Sequence, residues 1–258
     1  MSLPKFNFYN YQLEFKKYPV TWTLLLLNLI LWVLMEINGG SENPVTLIKF
    51  GAKEGILITG GEYWRLLTPI FLHIGFYHLL TNSIGLFIFG RYAETLFGGK
   101  TYFTIYIISG IWGNIASYFS SFAIGAGASG ALFGIIAAYA SYLISNRESL
   151  GEYGRQTLTG IILLIFINLL FGFTIDGVDN FAHAGGLFSG LICGWILSPK
   201  VTREILTIPS EIPTYIEQKT STPKSNTTFY LLTIITIILF YFSVNWISQN
   251  FYIRLLTN

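Results

Sequence analysis

The chain has 258 residues, 52% of them hydrophobic and 11% charged, with a mean hydropathy of +0.57 and a formal net charge of +2. Soluble domains carry about 25% charged residues, so this composition excludes an ordinary soluble enzyme and describes a polytopic membrane protein. The charge is too small for a nucleic-acid binder, and the single cysteine, Cys193, excludes an intramolecular disulfide and a cysteine-rich metal site.

Residues 1–17 form a polar, aromatic and basic N-terminal segment with Lys5, Lys16 and Lys17, expected to be cytoplasmic. Span one is expected at about 18–35, with Trp22 and Trp32 as interface anchors and Asn28 as a helix–helix hydrogen bond. It is long enough to span and lacks a clear small-residue cleavage site, so no cleavable signal peptide is expected. Residues 39–65 make a connection too long for a simple hairpin loop, and structure of its own is expected there. Span two follows at about 66–90 and holds His73, His78 and Asn82. A basic turn from Arg91 to Lys100 leads to span three, about 101–119. Glu94 and Glu36 lie at span ends and are expected to be solvated or interfacial.

No charge occurs from Thr101 to Asn146. Within that stretch a Gly-rich break, Gly125 to Gly130, precedes span four at about 129–145. Glycines allow a tight turn into a helix, and Ser129 then lies in its first turn, where backbone N–H groups lack intrahelical partners. That position suits an oxyanion, although a Ser there also serves as a simple N-cap. After a charged turn, span five is expected at about 157–173, and Asp176 and Asp179 fall in the next turn. Span six, about 180–197, contains His183. A Pro-bearing polar tether and a seventh span at about 228–247 complete the order. The domain plan is an N-terminal segment 1–17, a six-span core 18–198, a cytoplasmic linker 199–227, and a seventh helix with a short outer tail, 228–258.

With the N-terminus inside, Lys5, Lys16, Lys17, Arg91, Lys100, Arg147, Arg155, Lys200, Arg203, Lys219 and Lys224 lie inside. Only Lys49, Lys53, Arg65 and Arg254 lie outside. This asymmetry supports a cytoplasmic N-terminus and an outer C-terminus. Spans two, four and six then begin on the outer side, which puts Ser129 and His183 at similar shallow depth. Ionisable groups in a bilayer are costly, so each of the three histidines is a candidate site residue.

In span four Gly130, Gly134 and Ala138 recur every four residues, and in span six Ala182, Gly186, Gly190 and Gly194 do the same. Such ridges let membrane helices approach closely. If they face each other, Ser129 and His183 meet as a nucleophile and its base; otherwise the ridges are packing motifs alone. His78 and Asn82, at i and i+4, share one helix face and both offer hydrogen-bond donors to an oxyanion, or bond each other. His73 and His78 do not share a face well and no H-E-x-x-H occurs, so no metal site is expected.

These residues resemble the rhomboid intramembrane serine proteases. The resemblance runs from about Glu62 to Gly194. It rests on Trp64-Arg65, the stretch His73 to Asn82 continuing to Gly90 and Glu94, Gly127-Ala128-Ser129-Gly130, and Ala182-His183-Ala184-Gly185-Gly186. It implies an all-α polytopic membrane helical bundle, a six-helix core plus one C-terminal transmembrane helix. It implies Ser129 as nucleophile, His183 as general base, and His78, Asn82 and the Ser129 N–H as the oxyanion hole, without a third carboxylate or any cofactor. The implied partners are transmembrane protein substrates and the lipid bilayer, with no nucleic acid, and the expected location is a bacterial cell membrane. The alternative within the family is a non-catalytic, client-binding membrane protein. A transporter is disfavoured, because neither intramembrane charges nor internal repeats are evident. A purely structural bundle leaves the common depth of Ser129, His183, His78 and Asn82 without a reason.

Overall fold

Pro19 opens the first long helix, α1 (Pro19–Ile37), at a position where its missing N–H costs nothing. The next N–H groups of that turn need acceptors from elsewhere. Glu94 supplies them: its carboxylate accepts the Val20 N–H at 2.9 Å, and the Thr21 N–H and hydroxyl at 2.9 and 2.8 Å. Glu94 is therefore buried, not solvated or interfacial. The computed structural model describes residues 14–175, 177–206, 215–220 and 226–257, with side chains over 14–175, 177–201 and 234–250. Residues 1–13 of the N-terminal segment, Asp176 of the acidic turn, and linker residues 207–214 and 221–225 lie outside the described residues.

The long connection after α1 does carry structure. It holds α2 (Pro44–Phe50), α3 (Gly55–Thr59) and 3-10 turns at Tyr63–Leu66 and Thr68–Phe71. Arg65 ties it together from a buried position. Its guanidinium donates to the Ile48 and Ala52 carbonyls at 2.8 and 3.1 Å, pairs with Glu62 at 2.7 Å, and lies over the Trp64 ring.

The second span is not one helix from Leu66. Pro69 sits in the second 3-10 turn, and the α-helix, α4 (Gly75–Gly85), starts only at Gly75. A π-helical turn (Leu86–Gly90) and α5 (Arg91–Phe97) continue it. His73 consequently lies ahead of the helix, not inside it.

α6 (Gly99–Ser120) is the central helix, burying Tyr102, Tyr106, Ser109, Ser117 and Tyr118. Its polar groups meet protein rather than lipid, which is how a helix this rich in Ser, Gly and Tyr can stand inside a membrane bundle. α7 (Ser129–Ser145), α8 (Arg147–Gly172) and α9 (Asn180–Leu197) follow. The charged turn from Arg147 is helical and joins span five, with a break in helical geometry at Gly151. Among the described residues, α1, α8 and α9 are long and apolar enough to cross a membrane, and Ser129–Ser145 and Ile234–Asn250 are shorter apolar helices. The protein is a multi-pass integral membrane protein built as a helical bundle.

The linker contains a small antiparallel hairpin, β1 (Val201–Leu206) and β2 (Tyr215–Thr220), with Val201 opposite Thr220. The seventh span is α10 (Asn226–Thr257). Val244 and Ile247 of α10 pack with Ile58, Leu66, Ile115 and Tyr118, at the end of α6 and the first connection.

Candidate active site

α7 and α9 meet along their glycine ridges. A Cβ on Gly186 would fall 2.0 Å from the Gly130 carbonyl oxygen, and one on Gly190 would fall 2.1 Å from that of Gly134. A Cβ on Gly134 would in turn fall 2.1 Å from the Ser109 side chain of α6 and 3.1 Å from the Gly186 carbonyl oxygen. Only hydrogen fits at these positions, so the two backbones are in direct contact.

That contact brings the ends of both helices together. Ser129 is the first residue of α7, and its Oγ lies 3.0 Å from Nε2 of His183, one turn into α9. Ser129 is partly exposed, whereas His183 is buried. The ring of Phe133, one turn after Ser129, stacks on His183 with centroids 4.3 Å apart. The ring is thus held by a flat apolar surface on one side and by the serine at its edge. Nδ1 of His183 is buried and has no hydrogen-bond partner among the described residues.

The loop before Ser129 is fixed from two sides. The Gly127 N–H donates to the Pro69 carbonyl at 2.9 Å, and the Ala128 N–H donates to Nε2 of His73 at 3.4 Å. Gly127 has φ +144°, and a Cβ there would meet the His78 ring at 2.7 Å. The His78 imidazole therefore covers the turn that presents Ser129, with the His73 ring against it at 5.3 Å. Asn82 is buried, and its amide donates to the His78 carbonyl at 3.0 Å, a bond to the backbone rather than to the ring. The N–H of Ser129, at the first helical position, has no acceptor within α7.

The structure thus gathers Ser129, His183, His78 and Asn82 at one end of the bundle, with Gly130, Gly134, Gly186 and Gly190 forming the seam beneath. Chemically, a hydroxyl within hydrogen-bond reach of an imidazole, next to unpaired N–H groups at a helix start, can support acyl transfer.

Sequence reasoning missed the ring against His183, although Phe133 at i+4 from Ser129 shares its helix face. It also missed Lys53 and Ser117, which lie close behind Asp179. Charge distribution along the chain gives Lys53 only as an outer charge, yet its side chain is buried.

Comparison with known proteins points one way. The family model described as the Rhomboid domain matches residues 60–200. The chain is 46% identical over 170 residues to rhomboid protease GluP of Bacillus subtilis (strain 168), covering 66% of this chain and 33% of GluP. It is 32% identical over 200 residues to YdcA of the same bacterium, covering 75% of this chain and 96% of YdcA. It is 41% identical over 155 residues to RHOMBOID-like protein 5 of Arabidopsis thaliana, covering 59% of this chain and 50% of that protein. The chain therefore spans about a third of the length of GluP, about half of the Arabidopsis protein and nearly all of YdcA.

Proposed function

The chain belongs to the rhomboid family, and on that premise we propose that it is an intramembrane serine endopeptidase that works through Ser129 and His183. One observation carries the proposal: the 3.0 Å approach of Ser129 Oγ to His183 Nε2 beside the free end of α7.

In this reaction Ser129 Oγ attacks a substrate peptide carbonyl as its proton passes to His183 Nε2. The negative charge grows on the carbonyl oxygen next to the Ser129 N–H, with His78 as a second donor and Asn82 as a third after its amide turns from the His78 carbonyl. Such donors lower the barrier because they are already oriented where charge develops. His183 then gives its proton to the leaving amine. Water, deprotonated by the same imidazole, attacks the acyl-enzyme and releases the second product with Ser129 restored.

The proposed substrate is a transmembrane helix of another membrane protein, cut near its outer end. A helix offers no accessible backbone, so the segment cut must unwind, and residues of poor helix propensity favour that step. Access from the lipid past α8 fits this substrate, since α8 is the least buried of the three long apolar helices. The orientation proposed is N-terminus in the cytoplasm and C-terminus outside, in a bacterial cell membrane.

The test is cleavage of a single-span substrate by the purified full chain in liposomes, beside Ser129→Ala and His183→Ala. Wild type should cut and both variants should be silent while folded. Variants that cut as well as wild type would overturn the assignment. Where wild type does not cut, labelling of Ser129 by a fluorophosphonate would keep the assignment and point to an unsuitable substrate. Absence of labelling would replace it with the client-binding alternative.

A further inference from the structure

The nucleophile and the base reach each other from different elements, and one residue of the first connection touches the supports of both. Lys53, between α2 and α3, is 2% exposed. Its backbone pairs with Gly125: the Lys53 N–H donates to the Gly125 carbonyl at 2.9 Å, and the Gly125 N–H returns to the Lys53 carbonyl at 3.0 Å. Gly125 opens the loop that presents Ser129. The lysine side chain runs the other way. Nζ donates to Ser117 Oγ at 2.6 Å and to the Ser121 carbonyl at 2.9 Å, both at the end of α6. The Ser117 hydroxyl then donates to Oδ2 of Asp179.

Asp179 is the N-cap of α9. Its Oδ1 accepts the Ala182 N–H at 2.9 Å, and its carbonyl accepts the N–H of His183 at 3.1 Å. A carboxylate at a helix start is favoured by the helix dipole and fixes the geometry of the first turn. His183 lies in that turn. The chain of bonds therefore runs from the serine loop through Lys53, Ser117 and Asp179 to the turn that holds the imidazole.

We propose that Lys53 is a positioning residue for the Ser129–His183 pair, setting the distance between the serine loop and the base helix through Ser117 and Asp179. A buried ammonium is costly unless its charge is answered, so the lysine is held where those acceptors are. Burial pulls its ammonium below the usual lysine value, and the carboxylates of Asp179 and Glu54 act against that shift. A side chain serving only to fill space would not need two polar acceptors, Ser117 and Ser121, beneath an active site. The inference rests on the protease function proposed above.

The experiment uses the full chain in liposomes with four variants: Lys53→Met, Ser117→Ala, Asp179→Asn and the double variant Lys53→Met/Asp179→Asn. It reads three quantities: the rate at which a fluorophosphonate labels Ser129, kcat and KM on a single-span substrate, and the melting temperature. Small displacements at a reacting pair are expensive in rate, so Lys53→Met should lower labelling and kcat about tenfold or more, with KM within about twofold. Ser117→Ala, which leaves the lysine and its backbone pairing in place, should repeat this pattern even if Lys53→Met folds poorly. The double variant should be no slower than Asp179→Asn alone, because both changes break one chain. Folded variants that label and turn over within about twofold of wild type would overturn the proposal, as would losses confined to KM or losses that multiply in the double variant. Wild type that neither labels nor cuts would instead overturn the protease function itself.

Discussion

Gly186 and Gly130 meet backbone to backbone: a Cβ on Gly186 would fall 2.0 Å from the Gly130 carbonyl oxygen. The Ser129–His183 distance depends on this seam, because any side chain there forces α7 and α9 apart. Gly186→Ala should destabilise the protein by about 1–3 kcal/mol and abolish Ser129 labelling. Gly160→Ala, at a position with nothing within 4 Å, should leave both unchanged. Melting curves in detergent, read alongside labelling, check the pair.

Gly127 should tolerate no side chain for a different reason. Its φ of +144° is strained for other residues, and the His78 ring occupies the space a Cβ would take. The strain is of order 1–3 kcal/mol, and displacement of His78 would remove the oxyanion support proposed for it. Gly127→Ala should therefore lower kcat by more than its melting shift accounts for. Activity measured well below the melting temperature separates the two effects.

On the proposed role of His78, His78→Ala should reduce kcat roughly a hundredfold with little change in KM, as removal of one oxyanion donor does. Asn82→Ala should cost less, since its amide already donates to the His78 carbonyl and must turn to act. Steady-state kinetics on one substrate ranks the two; an Asn82 effect larger than that of His78 would reverse the assignment of the principal side-chain donor.

Phe133 holds the face of the His183 ring. Phe133→Leu keeps bulk but loses the flat surface, so stability should change by less than about 1.5 kcal/mol. Labelling of Ser129 should nonetheless slow several-fold. Equal labelling rates at equal folding would show that the stacking contact has no part in holding the base.

Glu94→Gln leaves the start of α1 with a weaker acceptor. Hydrogen bonds to a charged group contribute about 1.5–3 kcal/mol, so a loss of about 2 kcal/mol in stability is expected, with kcat preserved at low temperature. Denaturant unfolding in detergent measures it. A fall in kcat without a stability change would give Glu94 a catalytic influence instead.

The contact between the two glycine ridges, and with it the approach of Ser129 to His183, was legible because it follows from a four-residue periodicity along the chain. Span two was harder. Its apolar run continues through Pro69 to Gly90, and hydropathy does not register the 3-10 turns that delay α4 to Gly75. Lys53 illustrates a deeper limit. A lone lysine in a polar connection reads as a solvated charge, and only the fold places Ser117, 64 positions away, within 2.6 Å. Glu94 was misplaced on the same ground, since its partners Val20 and Thr21 lie more than 70 positions earlier. Pairings between groups so distant in sequence leave no periodic trace.

The packing of α10 carries a consequence for the order of assembly. Tyr118 of α6 bonds Ser248 of α10 at 3.2 Å across 130 positions, and Val244 and Ile247 close a patch made by Ile58, Leu66 and Ile115. Ribosomes deliver α6 long before α10, and contacts this distant form late. Until α10 is made, the patch of Ile58, Leu66 and Ile115 has no cover from that helix. The first connection, which carries Lys53 and Arg65, gains this wall only when α10 docks.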